Sequence, residues 1–310
     1  MPEWLKERTF DFMVWRRAAG VFSGVLVLAA ILSLIVRGLN FGIDFTGGTL
    51  VEVHFPQPAN LTEIRQKLAA ADFRDAVVQY FGTPNEVLIR IAPRNREEST
   101  AQISEQVLEA LAVDLDQMRR VEFVGPQVGK ELTEDGGLAV LFALIAILVY
   151  VSFRFEWKFA LGSVAALIHD VLITLGIFSF FQIEFDLSVL AAILAIIGYS
   201  LNDTIVVFDR IRENFRKIRK AAPVEVLNRS INQTMSRTVV TSLTTMLVLI
   251  SLYFFGGEVI NAFALALIVG VVVGTYSSVF VASTVTLALG ISKADLMPAE
   301  KEGAETDPLP

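Results

Sequence analysis

The chain has 310 residues, of which 54% are hydrophobic, and carries a net charge of −7, with a mean hydropathy of +0.57. This composition excludes an ordinary soluble protein, and the acidic balance argues against nucleic acid as a partner. The sequence has no cysteine and two histidines. We therefore expect no disulfide, no thiolate metal site and no metal centre.

Six apolar segments are each long enough to cross a bilayer as a helix. They lie at residues 18–36, 137–153, 159–181, 187–208, 238–255 and 261–288. The first segment differs from a cleavable signal peptide, because its apolar core is longer and no small-x-small site follows it before Asn40. The sequence therefore predicts an α-helical polytopic membrane protein with six transmembrane helices.

The distribution of lysine and arginine predicts an orientation for these spans. Arg16 and Arg17 precede the first span, a basic connection occupies residues 209–237, and the short loops at 182–186 and 255–258 contain neither residue type. Because basic loops stay on the cytoplasmic side, both termini are placed in the cytoplasm. One long loop then lies outside, which would be the periplasm in a double-membrane bacterium with this chain in its cytoplasmic (inner) membrane.

This orientation divides the chain into five parts. They are a cytoplasmic segment at residues 1–17, the first transmembrane helix at 18–36, an external domain at 37–136, transmembrane helices 2–6 with their basic loop at 137–290, and a cytoplasmic tail at 291–310. The tail is acidic and contains proline, so we expect it to be disordered.

The external domain shows the pattern strand, helix, strand, strand, helix, strand. The six elements are expected at residues 49–55, 61–71, 76–81, 86–91, 97–111 and 120–124. Asn60 is placed to cap the first helix, with Glu63 completing a capping box, and a turn is expected at 82–85. This order is that of the ferredoxin-like (βαββαβ) fold, so we predict an external α+β domain.

Nothing in the external domain forms a catalytic set. His54 ends the first predicted strand without an acid or a nucleophile beside it, and the geometric test for an active site is not met. We therefore predict that the chain is not an enzyme and uses no cofactor. The domain is interpreted as a docking or polypeptide-contacting surface, with a structural spacer as the alternative.

The fourth span carries a carboxylate, Asp203, with Ser200 one turn before it and Asn202 and Thr204 on either side. A charged side chain at the bilayer centre costs about 2.5–3.5 kcal/mol, so it usually faces a protein interior or a wet cavity. One interpretation is a proton or ion site, and the other is a carboxylate hydrogen-bonded to neighbouring helices. The flanking side-chain oxygens would also suit Na⁺.

Three other ionisable residues accompany Asp203 in the spans. His169 and Asp170 lie near the middle of the third span, and Arg237 opens the fifth. We predict Asp203 as the titrating group of a proton path and Arg237 as its modulator. His169 and Asp170 are candidates for the same path, or a buried pair that fixes helix packing. Arg237 could equally extend to the membrane interface.

Two further features of the spans are interpreted as structural. Asp209 lies at the membrane edge, where a cap or an ion pair fits better than transport. Gly270 and Gly274 form a small-residue face, followed by Ser277 and Ser278, which permits close helix packing and suggests a partner chain.

Three runs of residues stand out in the order of the chain. Residues 40–48 read Asn-Phe-Gly-Ile-Asp-Phe-Thr-Gly-Gly, and residues 124–132 read Val-Gly-Pro-Gln-Val-Gly-Lys-Glu-Leu. Residues 198–214 read Gly-Tyr-Ser-Leu-Asn-Asp-Thr-Ile-Val-Val-Phe-Asp-Arg-Ile-Arg-Glu-Asn. In this order and spacing they resemble the motifs of the SecF family, the smaller partners in SecD–SecF accessory complexes. The resemblance extends over about residues 15–290.

Several motif residues outside the fourth span are interpreted as structural. Gly47 and Gly48 fit a tight junction without Cβ atoms, and Asp44 fits a turn or cap. The full set is Gly42, Asp44, Thr46, Gly47, Gly48, Gly125 and Pro126.

The resemblance implies membership of the resistance-nodulation-division-like superfamily, in which paired six-helix halves use the proton motive force. It implies proton movement that assists late steps of polypeptide export, with the functional carboxylate at Asp203 and the arginine at Arg237. The implied partners are SecD, in an obligate heteromer, SecYEG, possible contacts with YajC and YidC, and the translocating polypeptide.

Two other functions are kept as alternatives. A small-molecule exporter half of the same superfamily usually has two large external loops, whereas this sequence has one. A non-transducing scaffold of an export complex would use Asp203 for structure alone.

Overall fold

The structure is a computed structural model that describes residues 10–93, 100–218 and 220–296. Within these residues, six helices are long and apolar enough to cross a membrane, and a small sheet domain is inserted between the first two. The predicted fold class is therefore confirmed.

The first span and the external domain occupy the N-terminal part of the chain. A 3-10 turn at Phe12–Trp15 leads into α1 (Arg16–Arg37). The next elements are β1 (Asn40–Phe41), α2 (Ile43–Thr46), β2 (Gly48–His54), α3 (Leu61–Ala70), β3 (Val77–Phe81), β4 (Thr83–Ile91), α4 (Thr100–Leu111) and β5 (Met118–Val124).

Strands β2 to β5 form an antiparallel sheet with the order β3-β4-β2-β5. Helices α3 and α4 pack on one face, over a buried core that includes Val51, Val53, Leu68, Ile89 and Val107. Because side chains alternate along a strand, Leu50, Leu88 and Arg90 lie on the opposite face. This is the arrangement of the predicted ferredoxin-like domain.

The hairpin between β3 and β4 is tighter than the sequence predicted. Instead of a turn over residues 82–85, the chain reverses at Gly82, which has a φ of 72°, and β4 begins at Thr83. Glycine adopts this left-handed conformation without a Cβ clash, so a single residue can reverse the chain. The first residues of the helix predicted at 97–111 lie outside the described residues.

The N-terminus of α3 follows the prediction in part. Asn60 Oδ1 accepts hydrogen bonds from the backbone N–H groups of Thr62 at 3.0 Å and Glu63 at 3.4 Å, which caps the helix. Glu63 does not complete a capping box, because its carboxylate pairs with Lys67 one turn later at 2.8 Å.

The rest of the chain is almost entirely helical over its described residues. Its elements are α5 (Pro126–Arg154), α6 (Trp157–Phe181), β6 (Glu184–Phe185), α7 (Leu187–Lys217), α8 (Pro223–Phe255), α9 (Glu258–Ser277), α10 (Ser283–Ala288) and α11 (Lys293–Leu296). A π-helical turn at Ser278–Ala282 joins α9 to α10, and the three together form the sixth span.

Three helices extend beyond the apolar spans predicted from hydropathy. α5 begins at Pro126, so the external domain ends before the predicted boundary at 136. α7 continues to Lys217 and α8 begins at Pro223, so most of the predicted loop at 209–237 is helical. A helix satisfies its own backbone hydrogen bonds, so it continues past the apolar stretch where the polar residues also favour helix.

The start of the predicted disordered tail is folded. Lys158 Nζ lies 2.8 Å from Asp295 Oδ1 and donates to the Gly290 carbonyl at 3.0 Å. Leu296 is buried. This ion pair and the buried leucine hold α11 against the bundle, whereas residues 297–310 lie outside the described residues.

α6 and α7 form the centre of the bundle. In their most apolar stretches 56% and 50% of the residues are buried, against 6% for α1 and 11% each for α5 and α8. Aromatic rings of both central helices pack together, with the centroids of Phe159 and Phe208 4.7 Å apart. Polar side chains on α6 and α7 are therefore enclosed by protein.

The external domain joins the bundle through glycine-rich junctions. β1 pairs in parallel with β6, in the loop between α6 and α7. A Cβ atom at Gly47 would lie 2.9 Å from Pro126 Cα, and one at Gly129 would lie 2.8 Å from Gly47 N. The backbones of α2 and α5 therefore meet at Gly47 and Gly129 without side chains between them.

Gly48→Ala is expected to loosen the pairing of β2 with β4, next to this junction. Gly48 has a φ of 122°, and a Cβ there would overlap the carbonyl oxygen of Ile91 in β4. Such strain costs about 1–3 kcal/mol. The measurement is amide hydrogen exchange of the full-length chain, in which β2 and β4 should exchange faster than in wild type. Gly137→Ala is the control, since nothing lies within 4 Å of its Cβ position. Equal exchange in both variants would contradict the prediction.

Candidate functional site

Asp170 is the centre of a hydrogen-bond cluster where α6, α7 and α9 meet. Its side chain is completely buried. Oδ2 accepts hydrogen bonds from Ser200 Oγ at 2.6 Å and Ser277 Oγ at 2.7 Å, and Oδ1 lies 2.9 Å from His169 Nδ1. A buried carboxylate is tolerated only with such partners. We refer to Asp170 with these three partners as the Asp170 cluster.

The cluster extends to α1 through an aromatic pair. The imidazole of His169 stacks on Tyr276, with ring centroids 6.0 Å apart. The Tyr276 hydroxyl donates to the Ala19 carbonyl at 2.9 Å and lies 2.9 Å from Ser23 Oγ. Sequence reasoning missed Tyr276, although a tyrosine inside a span needs a polar partner for its hydroxyl. His169 Nε2 is buried and has no hydrogen-bond partner among the described residues.

The glycine face of α9 packs on α7 within the chain. A Cβ atom at Gly274 would lie 3.0 Å from Ser200 Cβ, and one at Gly270 would overlap the Ile196 side chain. The predicted close packing is present, but it serves this internal contact and gives no sign of a partner chain. Next to it, Ser278 Oγ lies 2.9 Å from Thr204 Oγ1 at the start of the π-helical turn. Such turns often occur at functional sites.

Asp203 lies on α7 three residues after Ser200, so both face the same side of the helix. Its side chain is 4% exposed, and Oδ2 has no hydrogen-bond partner among the described residues. Thr238 Oγ1 on α8 is also buried and unpartnered there. The structure therefore holds two buried carboxylates on neighbouring helices, of which one is fully hydrogen-bonded and the other is not.

Arg237, predicted as the modulator of Asp203, forms no ion pair with it in the described part of the chain. Its side chain is exposed on α8, close enough for its charge to act on Asp203. Asn202 is also exposed, on the other side of α7 from the Asp170 cluster. Adjacent helix positions point about 100° apart, and here Asn202 points to the exposed side of α7 whereas Asp203 is buried. The structure thus brings together Asp170, His169 and Ser200, and separates Asn202 and Arg237 from them.

Asp209, interpreted from the sequence as a cap or an ion-pair residue, forms an ion pair at the end of the bundle. Its Oδ1 lies 3.1 Å from Arg154 Nη2 of α5, and both side chains are about half exposed. Its position at an exposed end distinguishes it from Asp203.

The motif residues near the first span assemble the junction at the opposite end. Asp44 Oδ2 accepts a hydrogen bond from the backbone N–H of Leu187 at 2.9 Å, which adds to the cap that Asp186 forms at the start of α7. Thr46 Oγ1 donates to the Gly42 carbonyl at 3.0 Å. Gly125 and Pro126 begin α5, with proline at its favoured first position. Asp44 is therefore a capping residue, on a helix far along the chain.

Two family models match the chain. The model described as "Protein export membrane protein SecD/SecF, C-terminal" matches residues 103–292, and the SecD/SecF GG motif matches residues 32–59. A protein translocase subunit SecF of Vibrio alginolyticus is 55% identical over 309 residues, which cover 98% of both chains. The Pseudomonas aeruginosa subunit is 48% identical and covers 98% of this chain and 99% of its own. The chain belongs to the SecF family.

A solved structure with a similar fold supports the assignment to the SecF family. The crystal structure of SecDF, a translocon-associated membrane protein from Thermus thermophilus, matches with a TM-score of 0.84 and 40% identity. The match covers 91% of this chain and 39% of that chain, so the SecF-family chain corresponds to one part of a longer protein.

The SecF-family chain is therefore a multi-pass bacterial membrane protein of the Sec export accessory class. The resemblance read from the three motifs is confirmed. The roles predicted for individual residues, Asp203 foremost, stay predictions.

Proposed function

We propose that this chain couples proton movement through its membrane domain to late steps of polypeptide translocation, with Asp203 as the group that binds and releases the proton. The observation that carries the proposal is the buried Oδ2 of Asp203, which lacks a hydrogen-bond partner among the described residues. A carboxylate that is buried but not compensated changes its protonation readily when its surroundings change.

The Asp170 cluster supports this role by contrast. Asp170 has its oxygens engaged by Ser200, Ser277 and His169, so its protonation is tied to the packing of three helices. Ser200 shares a helix face with Asp203. A shift of α7 that hydrates Asp203 would therefore also disturb the cluster. Arg237 on α8 is the proposed modulator, since a positive charge brought close to a carboxylate stabilises its ionised form.

The proposed partners follow from the bundle and from the family. We propose that SecD supplies the second half of the membrane domain, in an obligate heteromer, against the open faces of α1, α5 or α8. SecYEG and the translocating polypeptide complete the machinery, and YajC and YidC are possible further partners. Both termini would lie in the cytoplasm and the external domain in the periplasm.

The test is late-stage translocation in proteoliposomes that contain this chain, SecD and SecYEG. A polypeptide arrested part-way should complete its passage when a proton gradient is imposed, and a protonophore should stop it. A sodium gradient alone should have no effect. If the polypeptide completes its passage at an equal rate without any gradient, the proposal is overturned in favour of a scaffold. If a sodium gradient alone drives the passage, the coupling ion is Na⁺ and not the proton.

The small-molecule exporter is tested in the same vesicles. The described residues form one external domain and no second large loop that could enclose a ligand. We expect no gradient-driven efflux of amphiphilic dyes, measured by fluorescence. Efflux that depends on Asp203 would contradict this expectation.

A further inference from the structure

The hairpin β3–β4 of the external domain contacts the bundle at a site distinct from the covalent junctions. Arg90 of β4 lies on the sheet face opposite α3 and α4, and only 9% of its surface is exposed. Its Nη2 is 2.9 Å from Glu184 Oε1, in the loop between α6 and α7, and its Nη1 donates to the Phe41 carbonyl at 2.6 Å. One guanidinium thus ties the sheet to two segments at the membrane edge.

A second strand of the hairpin reaches the same carboxylate. Gln79 of β3 donates from Nε2 to Glu184 Oε2 at 3.1 Å. Burial raises the pKa of Glu184 above its ordinary value, and Arg90 opposes that shift. Holding this carboxylate under the sheet therefore costs free energy, which Arg90 and Gln79 offset. An ion pair between a buried arginine and a partly buried glutamate at an interface favours one particular docking position of the sheet.

The tip of the same hairpin contacts the sixth span. A Cβ atom at Gly82 would overlap the side chain of Glu258, the first residue of α9. A cleft of about 360 Å³ lies between this contact and Glu184. The hairpin therefore rests on two separate points, one on the loop between α6 and α7 and the other on the start of α9.

These two points adjoin the helices that form the Asp170 cluster. Glu184 lies between the end of α6, which carries Asp170, and the start of α7, which carries Ser200 and Asp203. Glu258 is the first residue of α9, which carries Ser277. A helix transmits a shift along its axis because its backbone hydrogen bonds keep the rise per residue fixed. Movement of α6 and α7 against α9 would therefore change the spacing of the two points under the hairpin.

We propose that the ion pair between Arg90 and Glu184 is the coupling element through which movement of the central helices moves the external domain. This rests on the proposed function, since it assigns the route by which proton binding reaches that domain. Arg90 acts as a positioning residue, and it neither binds the proton nor contacts it.

Arg90→Gln separates this role from proton binding. In proteoliposomes with SecD and SecYEG, we expect the variant to assemble normally and to keep gradient-driven proton uptake, followed with a pH-sensitive dye. Export should fall about fivefold or more, the lower range of coupling between two sites. The charge-reversed pair Arg90→Glu with Glu184→Arg should restore much of the export. Lys67→Gln is the control, because Lys67 forms an exposed ion pair on α3 and should export like wild type.

Each other result overturns the coupling role. Normal export by Arg90→Gln would show that the pair is dispensable. Loss of both assembly and export, unrestored by the reversed pair, would show that it only stabilises the fold. Loss of proton uptake with intact assembly would place Arg90 in the proton path. If wild type itself shows no gradient-driven export, the proposed function fails, and this is seen before any Arg90 variant is compared.

Discussion

Asp203→Asn is expected to abolish late-stage export while the chain still assembles with SecD. Asn is isosteric with Asp and keeps an oxygen that can accept a hydrogen bond, but it cannot bind and release a proton near neutral pH. Because Oδ2 has no partner in the described residues, the substitution breaks no observed contact. We expect export of a secreted reporter to fall to the level of cells that lack this chain, with unchanged co-purification of SecD.

Asp209→Asn is the matched control for this experiment. Asp209 lies on the same helix, six residues later, and its half-exposed carboxylate pairs with Arg154. Exposed pairs contribute about 0–1 kcal/mol, so we expect normal export. Unchanged export in Asp203→Asn would demote Asp203 to a packing residue and support the scaffold. A loss of SecD binding in that variant would mean that Asp203 stabilises the complex.

Asp170→Ala is expected to destabilise the bundle itself. The substitution leaves the Ser200 hydroxyl and His169 Nδ1 without their acceptor in a fully buried site, whereas the Ser277 hydroxyl keeps the Gly274 carbonyl at 3.1 Å. Each buried group left unsatisfied costs about 1–3 kcal/mol. The sum is a large part of a typical folding free energy of about 5–15 kcal/mol. We expect a lower midpoint of thermal unfolding in detergent and a lower yield of the complex with SecD.

Asp170→Asn separates the packing role of Asp170 from its charge. The amide oxygen can still accept from Ser200 and Ser277, so the unfolding midpoint should lie close to that of wild type. If Asp170→Ala were as stable as wild type, the cluster would not hold the bundle together. If Asp170→Asn were as unstable as Asp170→Ala, the charge itself would be required for folding.

The spans and the external domain could be predicted because each rests on a local pattern. A bilayer sets a minimum length of apolar residues, and alternation of apolar residues marks half-buried strands such as β2. The start of α5, the end of α7 and the start of α8 could not be predicted from hydropathy. Their polar turns carry no hydropathy signal, although Pro126 and Pro223 mark the helix starts in retrospect.

The sequence could predict only those residues of the candidate site whose burial in a membrane costs much free energy. Asp203, Asp170 and His169 were found because an ionisable group inside a span is expensive in any fold. Tyr276 and Ser277 were missed as partners, since hydroxyl groups in a helix are cheap and common. The modulating role predicted for Arg237 stays a prediction. Its side chain is exposed and forms no ion pair with Asp203 in the described residues, and the sequence says nothing about the rotation of α8 against α7.

By itself, the sequence determined the class of protein, its family and the ionisable groups that the membrane has to accommodate, since each follows from composition or from a contiguous motif. The tertiary structure decided which of the buried carboxylates is already hydrogen-bonded, and that Arg90 meets Glu184 across 94 positions of the chain. Such contacts depend on how the helices rotate and where the sheet docks. The rotation of the helices and the docking position of the sheet result from the packing of the whole chain, so no local stretch of residues predicts them.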